Sequence, residues 1–158
     1  MPQKRAKKLP HEGVWTRIRR SPIHGVGVFA IRPIPKDTFI FPDDTAPFSN
    51  VMKNRIKGMR GELRALYDDF CVARGNILKG PSSFNRLTVA WYLNEPAKGR
   101  DPNVACRKNY TFYALRQIAK GEELTVDYST YSEPQSPHKR RASNQLNLIL
   151  GRTKMRSR

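Results

Sequence analysis

The sequence predicts a mostly β domain with one clear helix. Three stretches carry that prediction. Val14-Trp15-Thr16-Arg17-Ile18-Arg19 alternates apolar and polar side chains, as a half-buried strand does. Leu115 to Tyr128 reads as one strand ending, a tight turn at Lys120-Gly121, and a second strand with Leu124, Val126 and Tyr128 on one face. Helical spacing is clearest between Arg60 and Cys71, where Leu63, Leu66, Tyr67 and Phe70 fall at i, i+3, i+4 and i+7.

Taken in order, Met1 to Pro10 is a basic arm, expected to be disordered over residues 1–13. The strand at Val14–Arg19 leads into a turn at Ser21-Pro22-Ile23-His24-Gly25. Gly25 and Gly27 allow positive φ and close approach of backbone to a ligand. Val28 to Ile31 forms the next strand. A turn at Pro33–Asp37 precedes the strand Thr38-Phe39-Ile40-Phe41, and residues 42–50 read as a polar loop. After the helix, Asn76-Ile77-Leu78 is a short strand, and Val89, Trp91 and Leu93 are expected to be buried. Val104–Arg107 and Tyr110–Leu115 pair around Lys108-Asn109. Beyond Tyr131, residues 132–142 have the Pro, Ser, Gln and basic composition of a linker. Ser143 is placed to cap a short helix over residues 143–150, closed by Gly151. The basic C-terminal tail spans 132–158.

A chain of 158 residues has room for one modest core. No apolar run approaches 18 residues, so no membrane span is expected, and the basic N-terminus lacks the apolar segment of a secretory signal. The two cysteines, Cys71 and Cys106, cannot make a four-ligand zinc site. Their number fits a reduced intracellular compartment, cytoplasmic or nuclear/nucleoid-associated, and leaves a single disulfide open. The net charge of +17 is concentrated at the ends. Residues 1–20 and 132–158 each carry seven Lys/Arg against one acid. Such tails either attract polyanions, non-specific nucleic acid or nucleoprotein, or only keep the chain solvated.

Three motifs in one order give the chain a more specific character. They are Gly25-Val26-Gly27-Val28-Phe29-Ala30, then Asn94 with Pro102-Asn103, then Gly121-Glu122-Glu123-Leu124-Thr125 ending at Tyr128. Together with Pro35-Lys36-Asp37-Thr38 they resemble the SET domain, the fold of most protein lysine methyltransferases, over residues 14–131. Gly-x-Gly alone is a weak signal; the ordered set is a strong one. The resemblance implies small curved sheets and a C-terminal strand tucked through a preceding loop in a knot-like crossing.

It also implies a cofactor, S-adenosylmethionine, and a lysine side chain of a protein as substrate, histones or another nucleoprotein among the candidates. Cofactor contacts fall to His24, Gly25, Val26, Gly27, Asn94 and Glu95. Tyr128 takes the catalytic position, and Tyr131, Tyr110 and Cys106 are candidates for the walls of a substrate channel. Asn103 is expected to brace the C-terminal crossing. Glu122 and Glu123 follow a turn glycine and are expected to stabilise the hairpin or a basic neighbour rather than to react. The sequence departs from the family at two places. Phe41-Pro42-Asp43-Asp44 lacks a tyrosine that many members carry there, and Glu95-Pro96 replaces His-Ser ahead of a loop about three residues longer. Because a fold does not establish a function, two rivals stay open: a catalytically silent SET-like binding module, favoured by these departures, and a basic protein acting on nucleic acid through its tails.

Overall fold

The computed structural model describes Leu9, residues 11–45 and residues 47–133. Among these, eight strands and one α-helix follow in order: β1 (Thr16–Arg20), β2 (Val26–Ala30), β3 (Phe48–Met52), α1 (Gly61–Phe70), β4 (Val72–Arg74), β5 (Ile77–Pro81), β6 (Val104–Arg107), β7 (Thr111–Ala114) and β8 (Glu123–Leu124). They divide between two compact units, residues 11–45 with 92–127, and residues 47–91 with 128–133. Among the described residues the fold is mostly strands in small antiparallel sheets with a single α-helix, as expected. The arm at 1–8 and the helix expected over 143–150 lie outside the described residues.

The first unit holds a three-stranded sheet in the order β1-β2-β8 and the hairpin β6-β7. Thr16 faces Ala30 and Arg20 faces Val26 in the β1–β2 register, while Val28 faces Leu124 across β2–β8. Val28, Ile34, Ile118, Leu124 and Val126 are fully buried and form the centre of this unit's core. Ile34 and Ile118 exchange both backbone hydrogen bonds at 2.9 Å, tying the segment after β2 to the segment before β8. Thr125-Val126 then runs between two partners. The Val126 N–H donates to the Asn94 carbonyl at 3.0 Å, and the Val104 N–H donates to the Thr125 carbonyl at 3.0 Å. Asn94 and Val104 flank the loop of residues 95–103, so the C-terminal strand passes between the two ends of one loop, which is the knot-like crossing.

The second unit holds the sheet β3-β5-β4 and α1. Ile56, Cys71, Ala73 and Leu78 form its core, with Val51, Met59, Tyr67 and Phe84 packed against them. Tyr67 on α1 meets Phe84 edge-on, with ring centroids 5.1 Å apart. Arg64 and Asp68, one turn apart on the helix, pair at 3.0 Å.

Five expectations are corrected. The first strand runs Thr16–Arg20; Val14 lies ahead of it and is exposed, and Ile18 is exposed because β1 is a sheet edge covered only at its Thr16 end. Leu115–Tyr128 is not a hairpin: β7 pairs with β6 and β8 pairs with β2, so the turn at Lys120-Gly121 joins segments with different partners. Tyr128 lies beyond the strand and opens a 3-10 turn, Tyr128–Thr130. The loop expected over 42–50 ends early, since β3 begins at Phe48. Thr38–Phe41 does extend along β7, but through one bridge, Phe39 to Tyr113, supported by Ile40 N–H to the Phe112 carbonyl at 3.0 Å. Of Val89, Trp91 and Leu93, only Leu93 is buried.

Candidate functional site

The Gly25-Val26-Gly27 loop is built from the Ser21 side chain outward. Ser21 Oγ accepts the N–H groups of Ile23 at 2.9 Å and His24 at 3.2 Å, and the Ser21 N–H donates to the Gly25 carbonyl at 3.0 Å. Serine serves here because one hydroxyl accepts from local backbone while donating elsewhere. Its proton goes to Glu123, whose carboxylate oxygens lie 2.7 and 2.9 Å away. Gly25 has φ +47°, a value that disfavours any side chain, and nothing stands within 4 Å of where a Cβ would be. Gly27 is glycine for a different reason. A Cβ there would overlap Glu123 Oε1 and stand 3.1 Å from Asn94 Nδ2.

Asn94 completes the brace. Its Nδ2 donates to the carbonyls of His24 at 3.2 Å and Val26 at 3.0 Å, and to Glu123 Oε1 at 2.9 Å. Asn94 is buried, and the loop presents Val26 to solvent. Glu95, next in the chain, is exposed.

Asn103 acts on the crossing. Buried to 3% exposure, its Nδ2 donates to Glu122 Oε1 at 3.1 Å and the Glu123 carbonyl at 2.8 Å, and its Oδ1 accepts from the Thr125 N–H at 2.8 Å. Glu122 caps the preceding turn through the Ala119 N–H and pairs with Arg116 at 2.6 Å. Burial pushes the Glu122 carboxyl up. The hydrogen bonds from Arg116, Ala119 and Asn103 outweigh it, so the group is more acidic than an ordinary glutamate. The expectation of a basic neighbour holds for Glu122, whereas Glu123 turns to Ser21 and Asn94.

In the second unit, the tyrosine segment is latched to β4. The Ala73 N–H donates to Ser132 Oγ at 3.1 Å, the Glu133 N–H to the Ala73 carbonyl at 2.9 Å, and the Gly75 N–H to Glu133 Oε1 at 2.9 Å. Tyr128 and Tyr131 meet edge-on within that segment, their ring centroids 6.0 Å apart. Both are half-buried.

A profile of the SET domain matches residues 25–129. The chain belongs to the SET domain family. SET domains are a methyltransferase family. Among solved structures, the chain is similar to a candidate histone methyltransferase from Plasmodium falciparum, with a TM-score of 0.49 and 21% identity over 73% of this chain and 93% of that one. A search of curated proteins gave no match.

Within this SET domain the residues singled out from the sequence fall into three groups. His24, Gly25, Val26, Gly27 and Asn94 are brought together as one hydrogen-bonded loop. Tyr128 and Tyr131 share the latched segment of the second unit. Tyr110 and Cys106 share the β6–β7 hairpin of the first unit, Cys106 opposite Phe112 and Tyr110 in the turn at φ 58°. The cysteines are not joined in a disulfide. Sequence reasoning missed Ser21 and Glu123 as loop braces, and the Ser132-Glu133 latch. Ser21 carried a usable signal, a hydroxyl residue four positions ahead of a turn glycine. The partnership with Glu123, 102 residues away, carried none.

Proposed function

We propose that this SET domain transfers a methyl group from S-adenosylmethionine to a lysine side chain of a protein. The observation that carries this reading is the Gly121–Tyr128 motif, whose Glu123 is built into the Gly-x-Gly loop and whose Asn103 partner fixes the crossing. The loop suits a ligand with cationic character. It joins an open positive-φ glycine to a carboxylate bonded by neutral donors. His24 to Gly27, Asn94 and Glu95 would hold the cofactor, which when bound supplies an electrophilic sulfonium methyl group.

The chain's own part is to present a neutral amine in line and dry. Lysine's reference pKa of about 10.4 makes neutralisation at pH 7 cost roughly 4.6 kcal/mol. Desolvation in a narrow channel and a neighbouring cation lower that pKa without a strong base. The Tyr128 hydroxyl is the group assigned to orient the amine lone pair, with Tyr131, Tyr110 and Cys106 as channel-wall candidates; its contribution is mainly positional. A histone or other nucleoprotein inside the cell is the substrate class this reading favours, the basic ends of the chain adding non-specific affinity for nucleic acid.

A silent binding module is the second reading, favoured by Pro42 and Glu95-Pro96, where the family's usual tyrosine and His-Ser are replaced. A radiolabelled methyl-transfer assay on histones and cell lysate separates the two, run with the intact chain and Tyr128→Phe beside a direct cofactor-binding measurement. Label on lysine that falls steeply in the variant is the expected result. Cofactor binding without label would move the assignment to the silent module.

A further inference from the structure

Two adjacent carboxylates in the first unit have opposite surroundings. Glu122 is neutralised by Arg116 at 2.6 Å. Glu123 is bonded by Ser21 Oγ and Asn94 Nδ2, both neutral, and no ion pair among the described residues includes it. It is half-buried, and it stands over Gly27, filling the space a side chain there would need. Arg17 and Arg19 register opposite Phe29 and Gly27 on the same face of the sheet, yet both are exposed and neither is paired with Glu123. Hydroxyl and amide dipoles hold the carboxylate in place without cancelling its charge. Its field therefore persists at the loop.

We propose that Glu123 makes the loop charge-selective: it favours the sulfonium cofactor over the neutral thioether that remains after methyl transfer. The inference rests on the reading of His24–Gly27 and Asn94 as the cofactor loop. S-adenosylmethionine and S-adenosylhomocysteine share the adenosine and amino-acid ends and differ at sulfur, positive in the first and neutral in the second. A fixed negative charge beside the loop distinguishes them where hydrogen bonds to the common parts cannot. The consequence is a site that takes up substrate cofactor in preference to product cofactor and releases the latter once the charge is gone. Glu123 is thus a specificity-determining group that also positions the loop.

Glu123→Gln separates the two roles, because the amide retains an acceptor for Ser21 and nearly the same shape while losing the charge. The experiment is calorimetric titration of the full chain with each ligand, wild type and variant, with a thermal melt of both proteins. The expected result is a loss of about three- to tenfold in affinity for S-adenosylmethionine and less than about twofold for S-adenosylhomocysteine. Equal losses for the two ligands, or none, overturn the proposal while leaving the cofactor reading intact. A wild-type chain that binds neither ligand overturns the cofactor reading and this proposal with it. If the variant does not fold, the wild type decides. Its preference for the sulfonium ligand narrows as salt is raised if charge sets it, and a preference independent of salt overturns the proposal.

Discussion

Asn103 holds Thr125 twice. Its side-chain oxygen accepts the Thr125 N–H at 2.8 Å, and its own N–H donates to the Thr125 carbonyl at 3.2 Å. One buried residue thereby satisfies both main-chain groups of a residue inside the crossing. Asn103→Ala leaves a buried N–H, the Glu123 carbonyl and part of Glu122 without their partner. The expected loss is about 2–4 kcal/mol in urea unfolding. A loss under ~1 kcal/mol would show that water replaces the amide.

The two loop glycines should fail differently. Gly25→Ala meets open space and costs only backbone strain, about 1–2 kcal/mol. Gly27→Ala displaces the Glu123 carboxylate from Ser21 and Asn94. A double-mutant cycle with Glu123→Ala tests this. Gly27→Ala should be markedly less costly once Glu123 is shortened, while Gly25→Ala should add independently.

The Glu122 carboxyl is more acidic in the folded chain than an ordinary glutamate. A depressed folded value means that the unfolded chain takes up its proton first as pH falls. The stabilisation is therefore present above the ordinary glutamate range near ~4.3 and is lost as pH drops through the lower folded value. Urea midpoints measured from pH 7 down to acid should fall less steeply in Glu122→Gln than in wild type. Parallel curves would remove Glu122 from the acid response.

Ser132→Ala removes the acceptor of the buried Ala73 amide. The expected outcome is a loss of about 1 kcal/mol and faster hydrogen exchange at the Ala73 N–H, through loosening of the tyrosine segment. On the proposed function, methyl transfer falls while cofactor affinity holds. Lost cofactor affinity would count against a role confined to that segment.

Much of this is legible in the sequence, but unevenly. The helix at Gly61–Phe70 and the β6–β7 hairpin came from periodicity and turn chemistry, because their partners are near in sequence. The pairing of β8 with β2 did not. Leu124 and Val126 look like one arm of a local hairpin, and nothing in their spacing says that Val28 is the partner. Tyr128 was marked by its motif, yet its place on a turn rather than a strand depends on Ser132 and Glu133 reaching β4. The loop glycines were visible; the carboxylate that makes Gly27 necessary was not, since it lies 96 residues away in an acidic pair with nothing to distinguish its members.

The passage of Thr125-Val126 between Asn94 and Val104 also sets an order of events in time. During synthesis the flanks of that loop emerge first and have no strand to close upon. They must stay apart, or reopen, until residue 126 has been made. The backbone groups of Asn94 and Val104 are then left to water while the chain waits, and every contact that closes the crossing is remote in sequence. Threading is therefore expected to be the slow, late step of folding in this unit, and the interval before it the time when the half-made chain is most open to association with other chains.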